Sequence, residues 1–277
     1  MVKKDEESNK SKKPSKKLIY LLIIFIVILA EGLILYYDYT TNADDNIVSD
    51  ITESVPYASE LSENIPFLNS SEDNDYAVEP LKPKVIGKND IGTVSVEGPY
   101  GNDSSPVKIA YILGQHPREY NAHDAIYNSL LNGSNNLSYS YYVYRINVSG
   151  ESEDFEQSRM NGQLLAQEFV VNDSVKNNYS LVIDIHSSNG GYIQDPYIFA
   201  PVSSDAVANE SANNLSNNLS YLVYYEPASY SSPQYSTIPI EEGGIPAIVF
   251  EMRGNPDNTL ENQANDFVNA VDKLLLK

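Results

Sequence analysis

Three histidines are all that this 277-residue chain contains, and His116 and His123 lie in one short stretch beside an arginine and a glutamate. His116 and Glu119 are three residues apart, which places their side chains on one side of a first helical turn. The remaining histidine, His186, follows the apolar run "LVIDI", and Glu251 ends another, "AIVFE". Two imidazoles and one carboxylate form a zinc-binding set that leaves a coordination position open for water, and a second carboxylate can take that water's proton. The pattern predicts metal-assisted hydrolysis.

Each of these features alone has a simpler explanation. A histidine after a strand is usually a turn residue or a hydrogen-bonded polar group, and a His-x-x-Glu spacing arises by chance. Their joint occurrence in a histidine-poor chain carries the prediction. His123 is interpreted first as a partly exposed helix residue, with support of a metal ligand as the alternative.

The surrounding pattern alternates β-rich apolar runs with amphipathic stretches from about residue 85 onward. Strands are predicted at 107–113, 139–148, 179–186, 196–200, 221–225 and 246–252, and helices from 117 and at 153–170, 205–219 and 259–276. This alternation predicts an α/β domain over 85–277, with a mostly parallel mixed sheet flanked by helices. Gly114 allows the turn after the first of these strands, and Pro117 begins the helix that follows. The candidate ligands then lie at the carboxyl ends of strands, where such sheets bind ligands.

Three sequence motifs resemble those of the M14 zinc carboxypeptidase superfamily. "GQHPREY" resembles its Gly-x-His-x-Arg-Glu-aromatic signature, "VIDIHSS" resembles the strand ending in the third ligand, and "IPAIVFEMRG" resembles the strand with the catalytic glutamate. The resemblance covers about 107–255. It implies a zinc-carboxypeptidase-like fold in which His116, Glu119 and His186 hold one Zn²⁺. It also implies that Glu251 activates water and then protonates the leaving amine, and that Arg118 polarises the scissile carbonyl or orders the site.

One part of the family pattern is missing. M14 carboxypeptidases carry an Asn-Arg pair between the second and third ligands to grip the substrate's terminal carboxylate, and no such pair occurs here. Arg145 and Arg159 are the only arginines in that interval. We interpret Arg159 with Asn161 as the substitute grip, because a guanidinium fork matches a carboxylate. A solvated helix residue is the alternative for Arg159.

The spacing and the tyrosines leave the type of hydrolase open. The interval from Glu119 to His186 is short, and in this it resembles the aspartoacylase and succinylglutamate desuccinylase branch, which cleaves N-acyl amino acids. The family resemblance also implies a tyrosine before the catalytic glutamate, and Tyr230 and Tyr235 are the candidates for contacting substrate.

The N-terminal part predicts a membrane anchor. Seven lysines in 1–17 form a basic tail, and the segment 18–37 is apolar apart from Glu31. About 20 apolar residues span a bilayer, and basic residues before them keep the N-terminus inside. A cleaved signal peptide is the alternative. The segment 38–84 is predicted to be an extracellular acidic stalk, since 38–80 carries eleven acidic residues and no lysine or arginine.

The amino-acid composition limits the classes of molecule that this protein is expected to bind. The net charge of −20 disfavours nucleic acid, and the lack of cysteine excludes disulfides and thiolate chemistry. Ten Asn-x-Ser sequons follow the apolar segment. They indicate a glycoprotein if the chain is exported, although an Asn- and Ser-rich chain also produces sequons by chance.

Together these features predict a single-pass cell-membrane protein with an outward-facing zinc amide or peptide hydrolase domain. The expected substrates are peptides or acyl-amino acids, with cell-wall peptides suggested by location alone. One alternative is an N-acyl-amino-acid deacylase of the same superfamily. Another is a non-catalytic binding or adhesion module that retains the fold.

Overall fold

The computed structural model describes residues 79–188, 196–255 and 258–276. The predicted basic tail, the apolar segment 18–37 and nearly all of the acidic stalk therefore lie outside the described residues. Inside them, no helix has both the length and the apolar character needed to cross a membrane.

Eight strands of the described residues form one mixed sheet. They are β1 (Lys84–Asn89), β2 (Gly92–Gly101), β3 (Lys108–Leu113), β4 (Ser140–Val148), β5 (Leu181–Ser188), β6 (Tyr197–Phe199), β7 (Val223–Tyr224) and β8 (Ala247–Arg253). Their order is β1-β2-β4-β3-β5-β8-β6-β7. The four central strands β4, β3, β5 and β8 run parallel, while β2 and β6 flank them antiparallel. The predicted α/β class and mixed sheet are confirmed.

Helices cover both faces of this sheet. They are α1 (Tyr120–Gly133), α2 (Phe155–Leu165), α3 (Val171–Asn177), α4 (Ala206–Asn218), α5 (Thr237–Glu242) and α6 (Asn258–Val271). Helices α1, α4 and α6 pack on one face with Ile183, Ile185 and Phe250. The other face carries Val182, Ile112 and the α2–α3 segment. Because the sheet is buried on both faces, the central strands appear in the sequence as unbroken apolar runs.

The strand order places a topological switch point between β3 and β5. From β3 the chain crosses through α1 to β4 on one side, whereas from β5 it proceeds to β8 on the other side. Connections that leave two adjacent parallel strands in opposite directions open a crevice at their carboxyl ends. Residues that directly follow β3 and the last residues of β5 therefore share this crevice.

Several elements differ from the sequence prediction. The predicted helix 153–170 extends to Asn177, because a π-helical turn at Ala166–Val170 joins α2 to α3. The predicted strand 221–225 is reduced to the two residues of β7. Strands β1 and β2 and the short helix α5 were not predicted. Strands β1 and β2 carry glycines and half-exposed residues, which weaken the alternation that identifies a strand.

A buried carboxyl group on α5 predicts how stability depends on pH. Burial raises the pKa of Glu241 to about 8, and the carboxylate of Asp205 adds to this shift. Between about pH 4.5 and 8 the folded chain keeps a proton that the unfolded chain has released. We therefore expect the free energy of unfolding to fall as pH rises through this window.

Glu241→Gln removes the titrating group and isolates its effect. We expect the melting temperature of the variant to exceed that of the wild type by an amount that grows from pH 5 to pH 8. Each kcal/mol of difference in the free energy of unfolding should shift the melting temperature by about 2–4 °C. Thermal unfolding at four pH values measures the difference, and other carboxyl groups contribute equally to both proteins. The same difference in melting temperature at all four pH values would show that Glu241 does not titrate in this pH range.

Candidate metal centre

The first pair of candidate ligands is positioned by the turn that follows β3. Gly114 has a φ of 89°, and a β-carbon there would lie 2.2 Å from the carbonyl oxygen of Ile146. Only glycine fits both conditions. Pro117 then opens a single 3-10 turn, Pro117–Glu119, that leads into α1. His116 and Glu119 are thereby turned toward the end of β5, as the sequence predicted.

Three ligand atoms converge at this point. His116 Nδ1 lies 2.9 Å from Glu119 Oε1, and His186 Nδ1 lies 2.9 Å from His116 Nδ1 and 3.0 Å from Glu119 Oε2. All three side chains are buried, with exposures of 3%, 9% and 1% respectively. Zinc–nitrogen bonds of about 2.0 Å place tetrahedral ligand atoms about 3.3 Å apart, so this spacing is close to that of a metal site.

The carboxylate of Glu119 is also held by two groups outside this cluster. Arg159 Nη1 donates to Oε1 at 2.7 Å, and the backbone N–H of Ser187 donates to Oε2 at 3.0 Å. Both oxygens are thereby fixed in orientation. The backbone bond also ties the β3 turn directly to the end of β5.

The outer nitrogens of the two histidines face hydrogen-bonding side chains. His186 Nε2 lies 3.2 Å from Asp184 Oδ2, and the fully buried Asp184 accepts a bond from Ser236 Oγ at 2.7 Å. His116 Nε2 lies 3.1 Å from the carboxamide of Gln163. A carboxylate beside the outer nitrogen of a ligating histidine favours the tautomer whose inner nitrogen is free to bind a metal, as at His186. The amide nitrogen of Gln163 can only donate, so it orients the His116 ring without that effect. The residues present therefore fit a divalent metal ion.

Electrostatics within the cluster also suit a cation. Burial lowers the pKa of His116 to about 4, leaving a neutral imidazole. Burial alone would raise the pKa of Glu119, but its bonds to His116 and His186 outweigh that effect and hold the pKa well below its usual value. Burial likewise acts to lower the pKa of His186, yet the carboxylates of Asp184 and Glu119 together raise it well above the ordinary value.

We expect Asp184→Asn to weaken metal binding. An amide keeps the size of the side chain but removes the negative charge beside His186 Nε2, and loss of such a partner costs about 10- to 100-fold in affinity. Competition with a fluorescent zinc chelator measures the dissociation constant. The same substitution at the exposed Asp103 is the control. An unchanged dissociation constant would remove Asp184 from this supporting role.

Glu251 belongs to the same site. It lies beside His186 in the register of β5 and β8, and neighbouring strands are about 4.8 Å apart. Its side chain is 7% exposed and lines two cavities that also border the candidate ligands. The first cavity has a volume of about 40 Å³ and the second, an open cleft, has about 650 Å³. Glu251 is therefore placed where a proton acceptor would be needed.

The remaining predicted residues divide into two groups. Arg118 and Arg159 line the open cleft, and Tyr230 lines the small cavity. Asn161 and Tyr235 line neither cavity. Asn161 is 3% exposed and donates to the carbonyl of Gly150, because it lies two residues beyond Arg159 on α2 and faces away from the cleft. Asn161 is thus not brought to the site.

The interpretation of His123 as a partly exposed residue is wrong. It is 5% exposed, and its Nε2 lies 3.1 Å from the carbonyl oxygen of Ile185, next to the candidate ligand His186. Burial lowers its pKa to about 4, so the neutral ring donates this bond. His123 therefore joins α1 to β5 beside the candidate metal centre and is not among the three converging ligand residues.

Gln163 is a site residue that the sequence analysis missed. It lies four residues after Arg159 on α2, so both side chains face the β3 turn. Gly162 makes this approach possible, because a β-carbon there would lie 1.9 Å from the carbonyl oxygen of Gln115. The helical spacing from Arg159 was the only available signal, and it does not reveal the close contact between helix and turn.

Comparison with known proteins found similarity only among solved structures. No protein-family model matches the chain, and no curated protein matches it significantly. A protein of Shewanella denitrificans, described as a candidate metallopeptidase, has 12% identity and a TM-score of 0.44 over 69% of this chain and 82% of its own. The succinylglutamate desuccinylase/aspartoacylase of Rhodobacter sphaeroides has 13% identity and a TM-score of 0.40, covering 69% and 63%.

A metallo-carboxypeptidase of Burkholderia cenocepacia has 10% identity and a TM-score of 0.42, covering 70% of this chain and 64% of its own. Identities this low transfer no residue roles to the present chain.

Proposed function

We propose that this chain is a zinc-dependent hydrolase of amide bonds, either a carboxypeptidase-like peptidase or an N-acyl-amino-acid deacylase. The observation that carries the proposal is the convergence of two imidazole nitrogens and one carboxylate within 3.0 Å, beside a second carboxylate on the neighbouring strand. A His₂Glu set with an open side is the donor set of catalytic rather than structural zinc.

Each residue of the site has its own role in the proposed hydrolysis. Bound zinc would supply Lewis acidity toward the scissile carbonyl and toward water. Glu251 accepts the proton of the attacking water and returns it to the leaving nitrogen. Arg159, fixed on Glu119, places a positive charge beside the position where negative charge develops on the carbonyl oxygen. Asp184 and Gln163 hold the two histidine rings in orientation.

The location of the enzyme is part of the proposal. Seven lysines followed by an apolar segment of twenty residues support an anchor with the hydrolase domain outside the cell. Of the sequon asparagines in the described residues, Asn209 is half-buried and the others are exposed, and none lines the two site cavities. Glycosylation at these positions would leave the active site accessible.

The runner-up is a binding or adhesion module that keeps the fold without the chemistry. The missing Asn-Arg pair and the acidic segment before the domain favour it. One observation counts against the binding module. A protein that had lost its catalytic activity would not need to keep all four of the side chains of His116, Glu119, His186 and Glu251 in one site.

Metal content and turnover together test the proposal. The purified full chain, loaded with zinc and dialysed, should contain one zinc per molecule by mass spectrometry of the metal. It should then release amino acids from either an N-acyl-amino-acid panel or a dipeptide panel, and the preferred panel separates deacylase from peptidase. Zinc binding without any hydrolysis would favour the binding module, and failure to bind zinc would overturn the proposed function.

A further inference from the structure

One loop forms part of the wall of the candidate metal centre. Residues 230–236 form the connection that leads into α5, and they contain a 3-10 turn at Ser232–Gln234. Tyr230 and Pro233 of this 230–236 loop line the cavity of about 40 Å³ that the three candidate ligands and Glu251 also border. The position of the loop therefore decides part of the shape of the space beside the ligands.

The end of this loop is bonded to the partner of one ligand histidine. Ser236 is fully buried, and its Oγ donates to Asp184 Oδ2 at 2.7 Å. The same carboxylate oxygen lies 3.2 Å from His186 Nε2. The carboxylate holds a proton on Nε2, which leaves Nδ1 for a metal, and the serine fixes the direction of the carboxylate. Ser236 therefore acts on the metal centre through one intervening side chain.

The start of the loop reaches the other ligand histidine in the same way. Gln163 is 2% exposed, and its Nε2 lies 3.1 Å from His116 Nε2 and 3.3 Å from Ser231 Oγ. Each outer histidine nitrogen of the centre is thus separated from the loop by a single side chain. The loop is fastened to the candidate metal centre near both of its ends.

Metal binding has a consequence for the bridge at Gln163. A metal on His116 Nδ1 requires the ring proton on Nε2, so the group that faces Nε2 has to be an acceptor. Among the described residues, Gln163 Oε1 is buried and has no hydrogen-bond partner. Reversal of the amide brings Oε1 into the place of the nitrogen, next to both His116 and Ser231. Ser231 keeps the bridge in either orientation, because a hydroxyl both donates and accepts.

Resting on the proposed function, we propose that the 230–236 loop positions the two histidines of the metal centre. Ser236 acts through Asp184, and Ser231 acts through Gln163. Metal binding fixes the loop in return, because a coupling free energy between two sites is reciprocal. The metal thereby also sets the wall of the cavity in which the reaction takes place.

Hydrogen exchange of the full chain measures the effect of the metal on the loop. The amides of Gln234 and Tyr235 donate to carbonyl oxygens within the loop at 3.0 Å each, so their exchange requires the loop to open. We expect bound zinc to slow the exchange of both amides by about tenfold or more, with a much smaller change in α4. No slowing in the loop, or equal slowing in α4, would overturn the proposal.

Removal of each hydroxyl tests the effect of the loop on the metal. We expect Ser236→Ala and Ser231→Ala each to weaken zinc binding by about 2- to 10-fold in competition with a fluorescent chelator. Each should also reduce the slowing of loop exchange by zinc. Ser231→Thr keeps a hydroxyl and should recover the affinity of the wild type. Ser229→Ala is the control, at an exposed serine just before the loop that lines neither site cavity.

These variants are expected to keep the fold. With its amide nitrogen turned toward Asp184, Gln115 donates to Oδ2 at 2.8 Å, so the buried carboxylate retains a partner in Ser236→Ala. Ser231 is exposed, and its variants give the same test at a position where packing is not disturbed. Thermal unfolding of the metal-free proteins measures any loss of stability.

The outcomes separate this inference from the proposed function. Zinc binding that neither serine variant changes would overturn the positioning role while leaving the hydrolase proposal intact. Weaker zinc binding and faster loop exchange in both variants support the positioning role, even if the wild type hydrolyses no substrate. A chain that binds no zinc would overturn both proposals.

Discussion

Glu251→Gln is expected to keep its zinc and lose hydrolysis, with kcat falling by about 10²- to 10⁴-fold. The amide has nearly the same shape as the carboxylate but cannot accept the proton of the attacking water. Because Glu251 is not one of the three converging ligand residues, the metal stoichiometry should not change. Steady-state kinetics on the preferred substrate, together with zinc analysis of the same samples, measures both quantities.

The control for this variant is Glu242→Gln, which makes the same change at an exposed carboxylate outside both site cavities. It should behave as the wild type. A Glu251→Gln protein with near-normal kcat would show that another group accepts the proton. Loss of zinc together with activity would instead place Glu251 among the ligands.

The largest effect on the metal is expected from His186→Ala. The substitution leaves one imidazole and one carboxylate, and two protein ligands do not form the three-ligand set of a catalytic zinc site. We expect the zinc content to fall from one per chain to less than about 0.1 after dialysis, with a parallel loss of turnover. Metal analysis of the full chain gives the stoichiometry directly.

His123→Gln is the matched control, because it changes the other buried histidine beside the centre and retains a hydrogen-bond donor. We expect it to bind close to one zinc per chain. Thermal unfolding of both variants shows whether either has lost its fold. Equal loss of zinc in two folded variants would mean that His186 is not a ligand and that the region responds to any disturbance.

The candidate metal centre could be predicted because it depends on pattern and topology together. Parallel strands end at one edge of a sheet, so the residues after "VKIAYIL", "LVIDI" and "AIVFE" had to lie near one another once the α/β alternation was recognised. His186 and Glu251 are indeed register neighbours. The turn at Gly114 and Pro117 was equally visible, since each residue has a restricted backbone role.

The supporting residues could not be predicted in the same way. Gln163 depends on how closely α2 approaches the β3 turn, and His123 depends on which side of α1 faces β5. Both are decided by packing between elements, which periodicity in one segment does not specify. The position of Asn161 away from the cleft has a related cause, because proximity in sequence to Arg159 does not ensure proximity in space. Strands β1 and β2 have weak alternation, because β1 is an edge strand with several exposed residues and most residues of the neighbouring β2 are half-buried.

Gly162 has a consequence for how this protein tolerates mutation. It contributes no ligand atom and no proton, yet a single methyl group there would collide with the backbone of Gln115 and force α2 away from the turn. Gln163 and Arg159 would move with the helix, so His116 and Glu119 would lose their partners at the same time. A random screen for inactive variants should therefore recover changes at this glycine as often as changes at the ligands themselves.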